Sequence, residues 1–219
     1  MRQPDCRRPA LSVMHRDMDI SATAHAPLTL ASASDSRRQM LERVGLVPAI
    51  PTARISEDAN SDALLAEDAL PRDVADALAE FKAQKVAGEG LTLGCDQVLA
   101  LGSAVFEKPS DRDNAHAQLR QLSGQTHHLY SAAVIYDAHE PVWRHVGVAR
   151  MTMRTLEDAD IDRYLHAAWP AAATSVGAYQ AEGVGASLFS RIEGDWFTVM
   201  GMPLLEVCAF LRLRGWRFP

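Results

Sequence analysis

The segment Leu91–Leu101 is strongly apolar and carries a single charged residue, Asp96. An apolar run of this length predicts a central β-strand that is covered on both faces. A carboxylate in such a strand is costly to bury without a partner, so Asp96 must face a cleft, pair with a cation or bind a metal ion. One segment therefore predicts both a layered fold and the position of a candidate site.

Strand-like and helix-like segments alternate along the rest of the chain, and short turns also join strands directly. This combination predicts an α/β fold with a mixed rather than an all-parallel sheet. Gly177–Gly185 is predicted to be a glycine-rich loop. Further strands are predicted at Leu28–Ala31, Ala104–Phe106, His128–Tyr136, Trp143–Met153, Ser187–Ile192 and Phe197–Met200, and helices at Arg37–Val44, from Pro71 to Val86, and at Ser110–Leu122, Glu157–His166 and Leu204–Leu213.

Charge and cysteine usage restrict the class of protein. The net charge of -6 gives no basic signature for binding a nucleic-acid backbone. The three cysteines are far apart, which favours reduced thiols and a cytoplasmic location. No apolar run is long enough to span a membrane. Residues 1–26 lack the apolar segment of a secretory signal and are expected to form a disordered extension before one domain at 27–219.

Charged and polar residues near the predicted strands suggest phosphate chemistry. A strand, a polar turn from Ser32 to Ser36 and a helix N-terminus together suit a phosphate group. A hairpin after Asp96 would return Lys108 to its side, although Lys108 taken alone is far more typical of a solvated surface lysine. Either Lys82 or Lys85 can reach the same cleft. Glu57 offers a second carboxylate for a shared divalent cation, unless it belongs to a solvated acidic loop.

Taken in order, these motifs resemble the Maf-like family from about Leu28 to Leu213. No single motif decides the matter, but six occur in the right order. They are Leu30-Ala31-Ser32-Ala33-Ser34 with Arg37-Arg38, Gly94-Cys95-Asp96-Gln97, Lys108-Pro109, Leu122-Ser123-Gly124 with His127, Gly177-Ala178-Tyr179 with Glu182-Gly183, and Gly194-Asp195 with Gly201-Met202-Pro203-Leu204.

The resemblance implies an elongated mixed sheet in two lobes around a cleft, as in Maf and ITPase-like folds, and a homodimer. It implies hydrolysis of a nucleoside triphosphate to the monophosphate and diphosphate with a divalent cation (Mg²⁺, Mn²⁺ or Co²⁺). Asp96 corresponds to the family's proton acceptor, and Asp96 and Glu57 to the metal-binding carboxylates. The other corresponding positions are Glu57, Lys82 and Lys108 for catalysis, and Ser32 and Arg37 for the phosphate-binding turn.

Three positions bear on the nucleobase: Ser36, Gln97 and Glu182. Gln97 and Glu182 resemble the branch that acts on 7-methyl-guanosine triphosphate, whereas Ser36 matches neither branch. A carboxylate at Glu182 can accept from a guanine N–H or complement a methylated, cationic ring. The resemblance leaves two alternatives: hydrolysis of thymidine and uridine triphosphates, or a non-catalytic nucleotide-binding regulator of septum formation. Some family members are linked to cell-division arrest.

Overall fold

A computed structural model describes residues 27–51 and 69–219, and a six-stranded mixed sheet forms its centre. The order of strands is β1-β2-β4-β5-β6, with β3 paired to β2. Only β1 and β2 are parallel. The predicted mixed α/β sheet is therefore confirmed. The strands are β1 (Leu28–Ala31), β2 (Leu91–Leu101), β3 (Ala104–Phe106), β4 (Thr126–Asp137), β5 (Glu140–Met153) and β6 (Phe189–Glu193).

Six α-helices lie against this sheet in the described part of the chain, and three short 3₁₀ helices occupy Ala171–Thr174, Val176–Ala178 and Val184–Leu188. No helix of the described ranges combines the length and the apolar character that crossing a membrane requires. The expectations for residues 1–26 and for Glu57 lie outside the described residues. The α-helices are α1 (Asp35–Arg43), α2 (Pro71–Val86), α3 (Arg112–Leu122), α4 (Asp158–Ala168), α5 (Trp196–Val199) and α6 (Leu204–Leu213).

Local chemistry explains where several helices begin. The Ser34 hydroxyl accepts from the Arg37 amide at 3.4 Å and caps α1. The Asp111 carboxylate accepts from the Asn114 amide at 2.7 Å and caps α3. Pro71 stands in the first turn of α2, where its missing N–H would have no helical partner. These caps place the helix starts within two residues of the predicted ones.

The predicted strand at Phe197–Met200 is wrong, because this segment belongs to the short helix α5. Gly194 has a φ of 113°, which turns the chain out of β6, and the Asp195 carboxylate then accepts from the Thr198 amide at 2.9 Å. A four-residue apolar run has no periodicity that separates strand from helix, so the cap decides the outcome. The Gly177–Gly185 loop is likewise partly ordered, into two of the 3₁₀ helices.

The two faces of the sheet are covered differently. Helix α2 covers one face and packs against side chains of β2 and β4 that include Val98 and Val134. On the opposite face, α1 and α6 pack over one end of the same strands, around Leu93 and Ala133. The helices α3 and α4 pack over the other end, around Leu99. The opposite face therefore carries two apolar clusters, as the predicted two-lobed arrangement requires.

A break in the pairing of β2 positions the site. Strand β4 pairs with β2 from Leu91 to Ala100 along one edge. On the other edge, β1 pairs only as far as Gly94 and β3 begins only at Leu99. The stretch Cys95–Val98 consequently has no strand partner on that edge among the described residues. Asp96 and Gln97 lie in the middle of this gap.

Candidate active site

A cleft of about 830 Å³ opens at the gap in β2 pairing. Its walls come from the start of α1, from α2, β2 and β3, and from the glycine-rich segment and the turn after α5. The structure brings most of the predicted site residues to this one cleft. Those that line it are Ser36, Arg37, Lys82, Asp96, Gln97, Lys108 and Glu182. Ser32 is buried behind Arg37, and Glu57 is outside the described residues.

The central contact is an ion pair between Asp96 and Lys82. The Lys82 ammonium donates to Asp96 Oδ1 at 2.5 Å, and the two side chains are 6% and 13% exposed for lysine and aspartate respectively. Oδ2 has no hydrogen-bond partner in the described part of the chain. Lys85 is exposed and lies over the Phe81 ring, so of the two candidates Lys82 is the cleft lysine.

Gly94 explains how α2 comes close enough to place Lys82. A Cβ atom at position 94 would stand 2.1 Å from the Ala79 carbonyl oxygen and 2.8 Å from the Ala83 Cβ. Only a residue without a side chain allows this approach of helix and strand. Gly94 therefore controls the distance between the helix that carries Lys82 and the strand that carries Asp96.

Arg37 is buried and joins three separated parts of the chain. Its Nε donates to the Gly201 carbonyl at 2.8 Å, and one terminal nitrogen donates to Ser32 Oγ at 2.9 Å and to the Cys95 carbonyl at 3.0 Å. The guanidinium thus ties the turn after α5 and the turn after β1 to the open stretch of β2. Within residues 27–51 and 69–219, these bonds leave the second terminal nitrogen to meet a ligand in the cleft.

The start of α1 forms one corner of the cleft, and its backbone geometry is of a kind that suits an anion. Ala33, Ser34, Asp35 and Ser36 line the cleft there. The first turn of a helix presents unpaired backbone N–H groups and the positive end of the helix dipole. Phosphate groups bind readily at such an end. The arrangement fits the predicted strand, turn and helix N-terminus.

Gln97 is held by its amide nitrogen. Nε2 donates to Ser131 Oγ at 3.0 Å and to the carbonyl oxygens of Thr198 and Val199, each at 3.1 Å. An amide nitrogen has two hydrogens, so these three oxygens occupy both. The amide oxygen is the part of Gln97 that remains for a ligand, and it can only accept.

Two further acidic residues face the cleft. Glu182 is exposed and lines the wall formed by the glycine-rich segment. Glu107 lines the cleft beside Lys108 and was not among the residues predicted from the sequence. Its position next to a candidate lysine at the end of β3 was the signal available. Both side chains can accept hydrogen bonds from a ligand.

Cys95 is not a candidate nucleophile. Its side chain is fully buried in the cluster under α1 and α6. Burial raises the pKa of the Cys95 thiol to about 12. A thiol needs its ionised form to react, so this residue is a small apolar packing group.

The described residues contain no group of three or more acidic, histidine or cysteine side chains that could hold a metal ion by themselves. The donor set still fits a cation bound with its substrate. Magnesium is commonly held by one or two carboxylates together with phosphate oxygens. Asp96 supplies one such carboxylate at the cleft.

Comparison with known proteins agrees with this geometry. Residues 27–214 match the family model described as Maf-like protein. The chain is 56% identical over 191 residues to nucleoside triphosphate pyrophosphatase 1 of Jannaschia sp. (strain CCS1), which covers 86% of this chain and 96% of that relative. It is 49% identical over 191 residues to the 7-methyl-GTP pyrophosphatase of Rhizobium meliloti (strain 1021), with the same coverage.

Proposed function

The chain belongs to the Maf-like protein family, and we propose that it hydrolyses a nucleoside triphosphate to the monophosphate and diphosphate. The ion pair of Asp96 and Lys82 at the cleft supports this proposal most directly. The pair fixes one carboxylate oxygen and leaves the other for a water molecule. Matched relatives are themselves named nucleoside triphosphate pyrophosphatases.

The proposed reaction is an in-line attack of water on the α-phosphorus. Asp96 accepts the proton of that water or orients it, and the diphosphate leaves. Lys82 and Lys108, with the start of α1, bind the phosphate chain and stabilise its developing charge. Asp96 and Glu57 would hold a divalent cation, which supplies charge neutralisation on the phosphates when bound.

We further propose a modified guanine nucleotide, such as 7-methyl-GTP, as the preferred substrate, so that hydrolysis keeps it out of nucleic acid. The amide oxygen of Gln97 and the carboxylate of Glu182 are both acceptors at the cleft. Guanine offers adjacent N–H donors on its pairing edge, whereas uracil and thymine flank a single N–H with two carbonyls. A methylated guanine also carries positive charge, which a carboxylate complements.

The decisive experiment is a panel of nucleoside triphosphates with Mg²⁺ or Mn²⁺, assayed for diphosphate release. Asp96→Asn should lower kcat by several orders of magnitude while the fold persists. Asp137→Asn, which removes a surface carboxylate paired with Arg214, is the matched control and should behave as wild type. Near-normal turnover by Asp96→Asn would remove Asp96 from the chemistry, and no release from any nucleotide would favour the non-catalytic regulator.

Base selectivity has its own test. Glu182→Gln should lower the preference for 7-methyl-GTP over UTP, because the amide is neutral and also donates. Glu140→Gln, at an exposed position at the start of β5, is the control. An unchanged substrate profile in Glu182→Gln would exclude the carboxylate from base selection, and a wild-type preference for UTP would favour the thymidine and uridine branch.

A further inference from the structure

His127 is a fully buried polar residue near the start of β4, and the reaction proposed above does not use it. Its Nε2 lies 2.8 Å from the hydroxyl oxygen of Tyr179. Its Nδ1 is buried without a hydrogen-bond partner in the part of the chain that the structure describes. Burial, and less strongly the neighbouring His128, lowers the pKa of His127 to about 4. The ring is therefore neutral and acts through its hydrogen bond.

Tyr179 connects this buried histidine to the cleft. Its ring is buried and packs edge-on against Phe189, with ring centroids 4.8 Å apart, yet it also lines the cleft. Tyr179 directly precedes Gln180, Ala181 and Glu182, which line the same wall. The hydroxyl is the polar anchor that ties this segment to the central sheet.

The segment around Tyr179 is also fitted closely by its glycines. A Cβ at Gly177 would come within 2.4 Å of a Leu99 methyl, and Gly177 has a φ of 73°. A Cβ at Gly185 would come within 2.4 Å of the Gln180 carbonyl oxygen. Packing therefore fixes the ends of the segment. In the middle, Tyr179 and Ala181 are buried, and three polar contacts that involve side chains are present among the described residues. The bond of the Tyr179 hydroxyl to His127, at 2.8 Å, is the shortest of them; the other two are 3.4 Å from the Gln180 amide to the Tyr164 hydroxyl and 3.3 Å from Gln180 Nε2 to Thr174 Oγ1.

We propose that His127 is a positioning residue that sets nucleobase selectivity by holding Tyr179, and hence the Gln180–Glu182 wall, in place. The inference rests on the proposed function, since it concerns the base-binding wall of the same cleft. In the described part of the chain, the side-chain contacts of His127 are with Tyr179 and Phe189 and not with Asp96 or Lys82, which are proposed to act on the phosphates. Losing its bond should therefore loosen recognition of the base and leave the phosphate step unchanged.

The test compares four full-length variants: His127→Phe, His127→Gln, Tyr179→Phe and Tyr136→Phe. Tyr179→Phe removes one hydroxyl and keeps the ring packing, so it still tests the bond between Tyr179 and His127 if His127→Phe fails to fold. His127→Gln can still offer an amide to the Tyr179 hydroxyl. Tyr136→Phe is the matched control, because it removes a phenol hydroxyl that donates to Glu80 on the other face of the sheet.

Kinetics are measured with the two nucleotides that the wild-type chain hydrolyses fastest. For Tyr179→Phe we expect KM for the preferred nucleotide to rise about 10-fold, as loss of one buried hydrogen bond allows, with kcat within about 2-fold. The ratio of kcat/KM for the two nucleotides should fall accordingly. His127→Phe should lower this ratio as Tyr179→Phe does, whereas His127→Gln should keep most of the wild-type ratio. Tyr136→Phe should keep the wild-type ratio.

The proposal is overturned if Tyr179→Phe keeps the wild-type ratio, or if kcat falls equally for both nucleotides with KM unchanged. The latter result would mean general disruption of the fold. A wild-type chain that releases diphosphate from no nucleotide overturns the proposed function and this inference with it. A wild-type chain that is active and selective, with variants of unchanged selectivity, overturns the inference alone.

Discussion

Gly94→Ala should separate Lys82 from Asp96 without altering either residue. The added Cβ would stand 2.1 Å from the Ala79 carbonyl oxygen and 2.7 Å from the Ala83 amide nitrogen. Relief to ordinary van der Waals contact requires α2 to move away by about 1 Å. Because α2 carries Lys82, the 2.5 Å contact to Asp96 Oδ1 would lengthen to about 3.5 Å, too long for a hydrogen bond.

The magnitude follows from packing and from geometry. Overpacking of this kind costs ~1–3 kcal/mol in the free energy of unfolding. A misplacement of about 1 Å in a catalytic site can cost roughly 100-fold in rate. We therefore expect Gly94→Ala to unfold at lower urea concentration and to lose activity beyond what its folded fraction explains. Both are measured on the same preparation, by urea titration and by diphosphate release.

Gly88→Ala is the matched control. Gly88 follows α2, and a Cβ there would meet nothing closer than the Val86 carbonyl oxygen at 4.0 Å. This variant should match the wild type in stability to within ~0.5 kcal/mol and in rate. If Gly94→Ala behaves like Gly88→Ala, the close approach of α2 does not control the ion pair, and the reasoning fails.

Two further predictions concern stability. Burial lowers the pKa of His127 from 6.5 to about 4, so the unfolded chain binds a proton at this ring more readily than the folded chain does. The contribution of the neutral ring to the free energy of unfolding is therefore fully present above pH 6.5 and is lost as the pH falls towards 4. It amounts to about 3 kcal/mol. Glutamine does not titrate in this range, so urea titrations at pH 7 and pH 4.5 should show a smaller loss of stability at the acid pH in His127→Gln than in the wild type. An equal loss would contradict the assignment to His127. Arg37→Lys should lose ~2 kcal/mol or more, because one ammonium cannot span acceptors on Gly201, Ser32 and Cys95; a urea midpoint equal to wild type would show that these bonds do not hold the three segments together.

The elements of the fold were largely predictable because their signals are local. The bounds of β2 agree with the apolar run, and the hairpin to β3 follows from the Gly102-Ser103 turn. Capping residues gave the helix starts to within two residues. The wrong assignment of α5 arose where the local signal is weakest, in a four-residue apolar run whose cap at Asp195 decides the conformation.

The site was predictable as a set of residues but not as a set of contacts. Arg37 was expected to bind phosphate, yet its Nε reaches Gly201, which lies 164 positions away in the sequence. Gln97 was expected to contact the base, and the sequence did not predict that its amide nitrogen donates to Ser131 and to the turn after α5. Such partners depend on how distant segments pack, and no local spacing records them.

Asp96 shows why the sequence left its alternatives open. A buried ion pair and a cleft-facing carboxylate were separate explanations of one charge in an apolar strand, but the structure supports both. The break in β2 pairing exposes the residue to the cleft, and Gly94 admits the helix whose lysine binds one of its oxygens. The lysine offsets the cost of burying the charge, and the second oxygen has no hydrogen-bond partner among the described residues. The ion pair is thus what allows a carboxylate to stand in this strand at all.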